Sequence, residues 1–143
     1  MEEYLLYGEK KDNNILELFC EYDFIEILKI FTFGSKDKII MEQILKTLNA
    51  LIRNISKETF LYYLMSNNFI NNIISRSFNF LLNDKNFLGI YINFLEGLSS
   101  KLNINTVQFL FQEEKGRFPL LDETIKLYNY PDNKIREITK TLF

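Results

Sequence analysis

Apolar residues recur at steps of three and four along almost the whole chain, the spacing of amphipathic helix and not of strand. The clearest stretch is Lys36–Ile55, where Ile40, Met41, Ile44, Leu48, Leu51, Ile52 and Ile55 form one stripe and Glu42, Lys46, Asn49 and Arg53 lie elsewhere. Gly34 and Ser35 separate it from a helix over Phe24–Phe33, with Ser35 the expected N-cap. A second long helix is predicted from its cap Asp84 to Leu102. Its apolar set (Phe87, Leu88, Ile90, Tyr91, Ile92, Phe94, Leu95, Leu98, Leu102) covers more than one face, so it is expected to be packed on several sides. Gly89 and Gly97 inside it lower helix propensity and suggest close helix approach.

Shorter helices fill the remainder. They are predicted over Glu2–Tyr7 and Ile15–Glu21, from a Ser56 cap to Met65, and from an Asn67 or Asn68 cap to Ser75. A further one starts at Asn105 or Thr106 and ends near Gly116. Pro119 opens a helix through Tyr128, and Pro131 opens the last, from Asp132 to the C-terminus. The sum is about ten helices with short loops and no Gly/Ser linker. Alternating long and short helices suit an all-α, irregular armadillo-like solenoid, although no strict repeat stands out by eye.

Composition sharpens this picture. The 143 residues are one domain's worth of chain, and 47% hydrophobic residues are too many for a disordered one. Five Gly and two Pro are too few for a protein built of tight turns. A single Ala50 among many Ile, Asn and Lys is the bias an AT-rich genome produces, so Asn pairs carry little weight alone. The net charge is −2, which offers nucleic acid no global basic field. Residues 1–26 hold eight acids against two bases, and the rest of the chain holds 11 acids against 15 bases. No signal peptide or bilayer-spanning run is visible, and the lone Cys20 points to a reducing compartment.

Candidate chemistry is sparse. Without His, imidazole acid–base catalysis and Ser–His or Cys–His nucleophiles are excluded, as is a multi-ligand zinc site. The glycines are isolated, which excludes phosphate-cradling loops. Glu113/Glu114 and Asp122/Glu123 are sequence neighbours that do not face each other on a helix. Ser35-Lys36-Asp37-Lys38 fits a Ser-x-x-Lys pattern, but so do many helix starts, and Asn54-Ile55-Ser56 reads as a helix junction, not a glycosylated sequon. The aromatic residues interleave with Leu and Ile, the habit of a core and not of a base-stacking platform. No enzyme activity and no cofactor is expected.

The run from Lys46 to Ile74, and within it Leu61-Tyr62-Tyr63-Leu64-Met65-Ser66-Asn67-Asn68, resembles the core of the FPL domain. That domain begins a family of endosomal-maturation and autophagy proteins whose animal member was misnamed as a C-type lectin. Tyr91–Asn103 resembles the family's next long helix, Thr106-Val107 the segment after it, and Phe118-Pro119-Leu120 the naming tripeptide. Glu123, Ile125, Lys126, Asn129-Tyr130-Pro131, Arg136 and Lys140 fall in family-like positions. The resemblance implies one armadillo-like domain over 1–143, incomplete at both ends. It implies a cytoplasmic protein peripheral to endosomal, lysosomal or Golgi membranes. Such a protein would work through protein partners in vacuolar transport and autophagy, with no sugar-binding chemistry. A helical adaptor of a ubiquitin-ligase assembly is the alternative. Candidate interaction residues are Tyr62, Tyr63, Asn67 and Asn68 at one helix corner, the Phe118-Pro119-Leu120 turn, and Arg136. Tyr offers large contact area with a polar tip, and Asn reaches solvent at a corner.

Overall fold

A computed structural model describes residues 24–34, 36–75 and 83–141. The described residues form helices α1 (Phe24–Gly34), α2 (Lys38–Asn54), α3 (Glu58–Met65), α4 (Phe69–Ser75), α5 (Lys85–Ser99), α6 (Val107–Leu110), α7 (Pro119–Tyr128) and α8 (Asn133–Thr139). There is no strand among them, only an isolated antiparallel bridge between Gln112 and Arg117. The described residues are all-α, as the periodicity demands. The expected helices over 2–7 and 15–21, and the Ser35 cap, lie outside the described residues.

Three aspartates start three helices in the same way. Asp37 accepts from the Ile39 amide at 2.9 Å, Asp84 from Asn86 at 2.8 Å and Phe87 at 3.1 Å, and Asp132 from Lys134 at 2.8 Å. Each satisfies amides that the first helical turn leaves free. This corrects two expected starts. α2 is capped by Asp37, two residues past Ser35, and α8 by Asp132, so Pro131 precedes the cap instead of opening the helix. The start of α3 also differs from expectation: Lys57, one residue past Ser56, is its N-cap without a side-chain bond, and Glu58 supplies the favourable charge in the first turn.

α2 and α5 form the most extensive helix pair and run in the same direction. The Lys38 ammonium at the start of α2 pairs with Asp84 at the start of α5. At the other ends, Lys101 Nζ donates to the Ile55 carbonyl at 3.4 Å. The two helices are also sequence equivalents. With a shift of forty-seven residues Asp37-Lys38 falls on Asp84-Lys85, and buried Met41, Ile44, Leu45, Leu48 and Leu51 fall on buried Leu88, Tyr91, Ile92, Leu95 and Leu98. Asp132 follows Asp84 by forty-eight, and Lys85 Nζ lies 3.9 Å from its carboxylate, repeating the Lys38–Asp84 contact at the next Asp-capped helix start. Exposed ion pairs stabilise little. What they fix is which helix start sits beside which.

The core follows the sequence stripes. Leu48, Leu51, Ile52, Tyr91, Phe94, Leu95 and Leu98 are all fully buried, with Phe60, Phe69 and Phe87 among the other large side chains inside. Of the two glycines in α5, one matches the close approach expected of it. A Cβ on Gly97 would overlap Asn49 Oδ1 and lie 3.3 Å from Arg53 Nε, whereas one on Gly89 would meet nothing within 4 Å among the described residues. Gly97 is the repeat equivalent of Ala50, so a small residue marks both positions.

The segment after α5 is shorter in helix than expected. α6 covers one turn from Thr106, whose buried hydroxyl donates to the Lys101 carbonyl at 2.7 Å and accepts from the Asn103 amide at 2.9 Å. A 3-10 turn at Glu113–Lys115 then closes on Gly116, whose φ of +56° favours glycine. Gln112 and Arg117 exchange backbone hydrogen bonds of 2.8 and 3.2 Å across this loop. Arg117 then clamps Asp122 Oδ2 with Nε at 3.1 Å and Nη2 at 3.0 Å, seating the loop on the first turn of α7.

Candidate functional site

The corner between α3 and α4 is built by its asparagines, though not as helix caps. Asn67 and Asn68 are exposed and take φ of +54° and +56°, two left-handed residues in succession. Asn is the non-glycine residue that tolerates this region best. That backbone requirement, and not N-capping, accounts for the pair. Asn68 Oδ1 accepts from Asn71 Nδ2 at 3.2 Å, and the same Nδ2 donates to the Phe109 carbonyl at 2.8 Å. Asn71 is fully buried and its Oδ1 has no hydrogen-bond partner among the described residues. It ties the corner to the segment that follows α5.

The two tyrosines brace the same corner. Tyr62 is half-buried, with its ring centroid 5.4 Å from that of Phe109 and its hydroxyl donating to Glu58 Oε2 at 3.2 Å. Partial burial, with the Glu58 charge beside it, pushes the Tyr62 phenol up from its ordinary value. The Tyr63 hydroxyl accepts from the Ile25 amide at 3.5 Å, one of the free donors in the first turn of α1. Its ring lies 5.8 Å from that of Phe60. The Leu-Tyr-Tyr-Leu-Met-Ser-Asn-Asn run is therefore a joint between three parts of the molecule.

The Phe118-Pro119-Leu120 turn opens α7. Phe118 is its N-cap and half-buried, Pro119 is the first helical residue and buried, and Leu120 is fully inside the core. Leu120 thus has no surface to offer a partner. Its burial holds α7 in place. Arg136 stands exposed on α8. With Tyr128, Asn129, Asn133, Glu137 and Lys140 it lines an open hollow of about 360 Å³. Asn71 and Tyr62 tie the corner to Phe109, while Arg136 lines a hollow with Tyr128, so the candidate residues divide between different parts of the surface.

Sequence reading missed the outward residues of α7. Leu120, Thr124 and Leu127 face inward, but Leu121, Ile125 and Tyr128 form a second stripe that is 40%, 52% and 50% exposed. The signal was present: an apolar pair at 120–121 and again at 127–128 exceeds what one buried face requires. Among the described residues no cluster of three or more His, Cys, Asp or Glu could hold a metal ion, and no helix is long and apolar enough to cross a membrane.

Three kinds of comparison bear on this arrangement. No solved structure matches the chain. Protein CLEC16A of Homo sapiens is 40% identical over 141 residues, an alignment that covers 98% of this chain and 13% of that protein. The CLEC16A homolog of Caenorhabditis elegans is 42% identical over 135 residues, covering 94% of this chain and 15% of its own length. Protein TRANSPARENT TESTA 9 of Arabidopsis thaliana is 33% identical over 147 residues, covering 98% and 17%. The chain therefore spans well under a fifth of the length of these relatives. The FPL family model, described as an uncharacterised conserved protein, matches residues 1–143. With the match running from the first residue through the corner, the turn and α8 to the last, the chain belongs to the FPL family.

Proposed function

We propose that the chain is a non-catalytic protein-interaction domain acting in endosomal and vacuolar transport, endosome maturation and autophagy. The observation that carries this reading is membership of the FPL family over 1–143, shared with much longer relatives in animals and a plant. The domain is one unit, an irregular armadillo-like solenoid of about ten helices. The parallel α2–α5 pair and the recurring Asp caps support that architecture, because stacked repeats place equivalent helices side by side at steps of about 40–47 residues. A stack of this kind presents an extended surface without needing a catalytic group.

Protein partners from the trafficking machinery are the proposed ligands, with cytoplasmic location and peripheral or indirect attachment to endosomal, lysosomal or Golgi membranes. Of the candidate residues, exposed Asn67, Asn68 and Arg136 suit direct contact. Tyr62, Tyr63 and Phe118 shape the surface from half-buried positions, and Pro119 and Leu120 support it from within. The test is affinity purification of the tagged full chain from its own cells. Enrichment of endosomal or vacuolar transport proteins over an untagged control is the expected result. Their absence, with a ubiquitin ligase recovered instead, would favour the ligase-adaptor alternative and remove the trafficking role.

A further inference from the structure

α7 is filled on one side and open on the other. Its inner side packs on α4. Its outer side carries Leu121, Ile125 and Tyr128 at positions i, i+4 and i+7, and Ile138 of α8, 46% exposed, adds a fourth apolar side chain. An amphipathic helix needs one apolar stripe for its own core. A second stripe, exposed at about half of each residue, is in excess of that need.

Two adjoining hollows run along the junction of these helices. The first, about 280 Å³, is lined by Thr124, Ile125, Tyr128, Thr139 and Lys140. Tyr128 and Lys140 are shared with the polar hollow of about 360 Å³ that holds Arg136. Charge there is not balanced. Lys140 Nζ is 2.6 Å from Glu137 Oε1, so that pair is self-contained, while the Arg136 guanidinium has no carboxylate partner among the described residues. An apolar stripe that ends at one uncompensated guanidinium is complementary to an apolar stripe that ends at a carboxylate. Arg also suits this task, since its planar fork binds a carboxylate through two parallel hydrogen bonds. The filled side of α7 shows which shape fits, because its occupant there is a helix. A lipid surface fits less well: Glu137, 70% exposed and lining the same hollow as Arg136, would face anionic headgroups.

We infer that the outer face of α7 and α8 is a docking seat for an amphipathic, acidic helix of a partner protein, with Ile125 and Tyr128 as the apolar seat and Arg136 as the carboxylate receptor. This rests on the interaction-domain reading and narrows it to one surface and one ligand chemistry.

A random-peptide display library selected on the folded full chain tests it. Recovered peptides are titrated by fluorescence anisotropy against wild type, Ile125→Glu, Arg136→Glu and the distant control Ile104→Glu, whose residue is 89% exposed. Thermal melts establish that each variant is folded, with Ile125→Ala used if Ile125→Glu is not. The expected peptides have apolar residues at helical spacing and at least one acid. They bind Ile125→Glu and Arg136→Glu at least tenfold more weakly and Ile104→Glu unchanged, and a Lys in place of their acid restores binding to Arg136→Glu. Failure to enrich such peptides, or binding to the two seat variants as tight as to wild type, overturns the inference. So does concentration-dependent dimerisation of the chain abolished by Ile125→Glu, which would make a second copy the occupant. Sedimentation with anionic vesicles abolished by the same variant would make the occupant a membrane and overturns it too. If transport proteins still co-purify with both seat variants, the docking seat falls while the interaction-domain reading stands.

Discussion

Replacing Gly97 with Ala isolates the helix crossing on which the fold is built. In a solvent-facing helix this change stabilises by about 0.5–1 kcal/mol, because Gly has more backbone freedom to lose. At Gly97 the new methyl would occupy the place of Asn49 Oδ1, which also accepts from Arg53 Nε at 2.9 Å. Arg53 in turn reaches across to the Asn93 carbonyl at 3.0 Å and to Glu96 Oε2 at 3.2 Å. Asn49 must therefore rotate or the helices must separate. Overpacking costs about 1–3 kcal/mol, and the displaced hydrogen bond adds about 0.5 kcal/mol at an exposed site. The clash outweighs the propensity gain, leaving Gly97→Ala destabilised by about 1–2 kcal/mol, or roughly 3–6 °C in Tm. Gly89→Ala, with open space around its Cβ, is expected to be stabilised by about 0.5–1 kcal/mol. A double-mutant cycle with Asn49→Ala completes the test, since removing the Asn49 amide should return most of the lost stability. Urea denaturation supplies all the values. A Gly97→Ala protein as stable as wild type, or a cycle without coupling energy, would refute the close approach.

Phe94→Ala removes a fully buried ring and should cost about 3–5 kcal/mol in urea melts; a loss below about 0.5 kcal/mol would show that the core is misplaced. Asn67→Ala is expected to cost about 1 kcal/mol and Asn67→Gly almost nothing, because the requirement is a left-handed backbone; equal losses would mean that the side chain itself matters. The Lys38 ammonium, together with the Phe87 and Asn86 amides, holds the Asp84 carboxyl below its ordinary value. A depressed carboxyl contributes stability above its unfolded pKa and loses it as pH falls through the folded one. Asp84→Asn should therefore flatten the decline of Tm below about pH 4, and an unchanged decline would assign it to other carboxyls.

Helical class, the extents of α2 and α5 and their buried stripes were legible because hydrophobic periodicity over fifteen or more residues leaves few alternatives. Helix starts were less so. Ser35 and Ser56 have the right chemistry for capping, but Asp37 takes that role in α2 and Lys57 stands at the start of α3, since backbone geometry and not residue type selects among neighbours. The forty-seven-residue repeat escaped notice because only the Asp-Lys start and the buried positions recur, as Gln43 opposite Ile90 illustrates. At the corner, two adjacent Asn gave no hint of positive φ, a property of the chain's path between α3 and α4. Leu120 was drawn to the surface by its place in a short turn, yet the start of α7 puts it on the inward stripe beside Thr124 and Leu127. Asn71 was invisible, since its role depends on a carbonyl thirty-eight residues away.

The proposed role in endosomal and vacuolar transport is tested most directly by live-cell imaging of the tagged full chain beside endosomal, lysosomal and Golgi markers. The expected result is a punctate signal that coincides with one or more of these compartments and disperses when endosome maturation is blocked. A diffuse signal that ignores all three markers and the block would contradict the trafficking function.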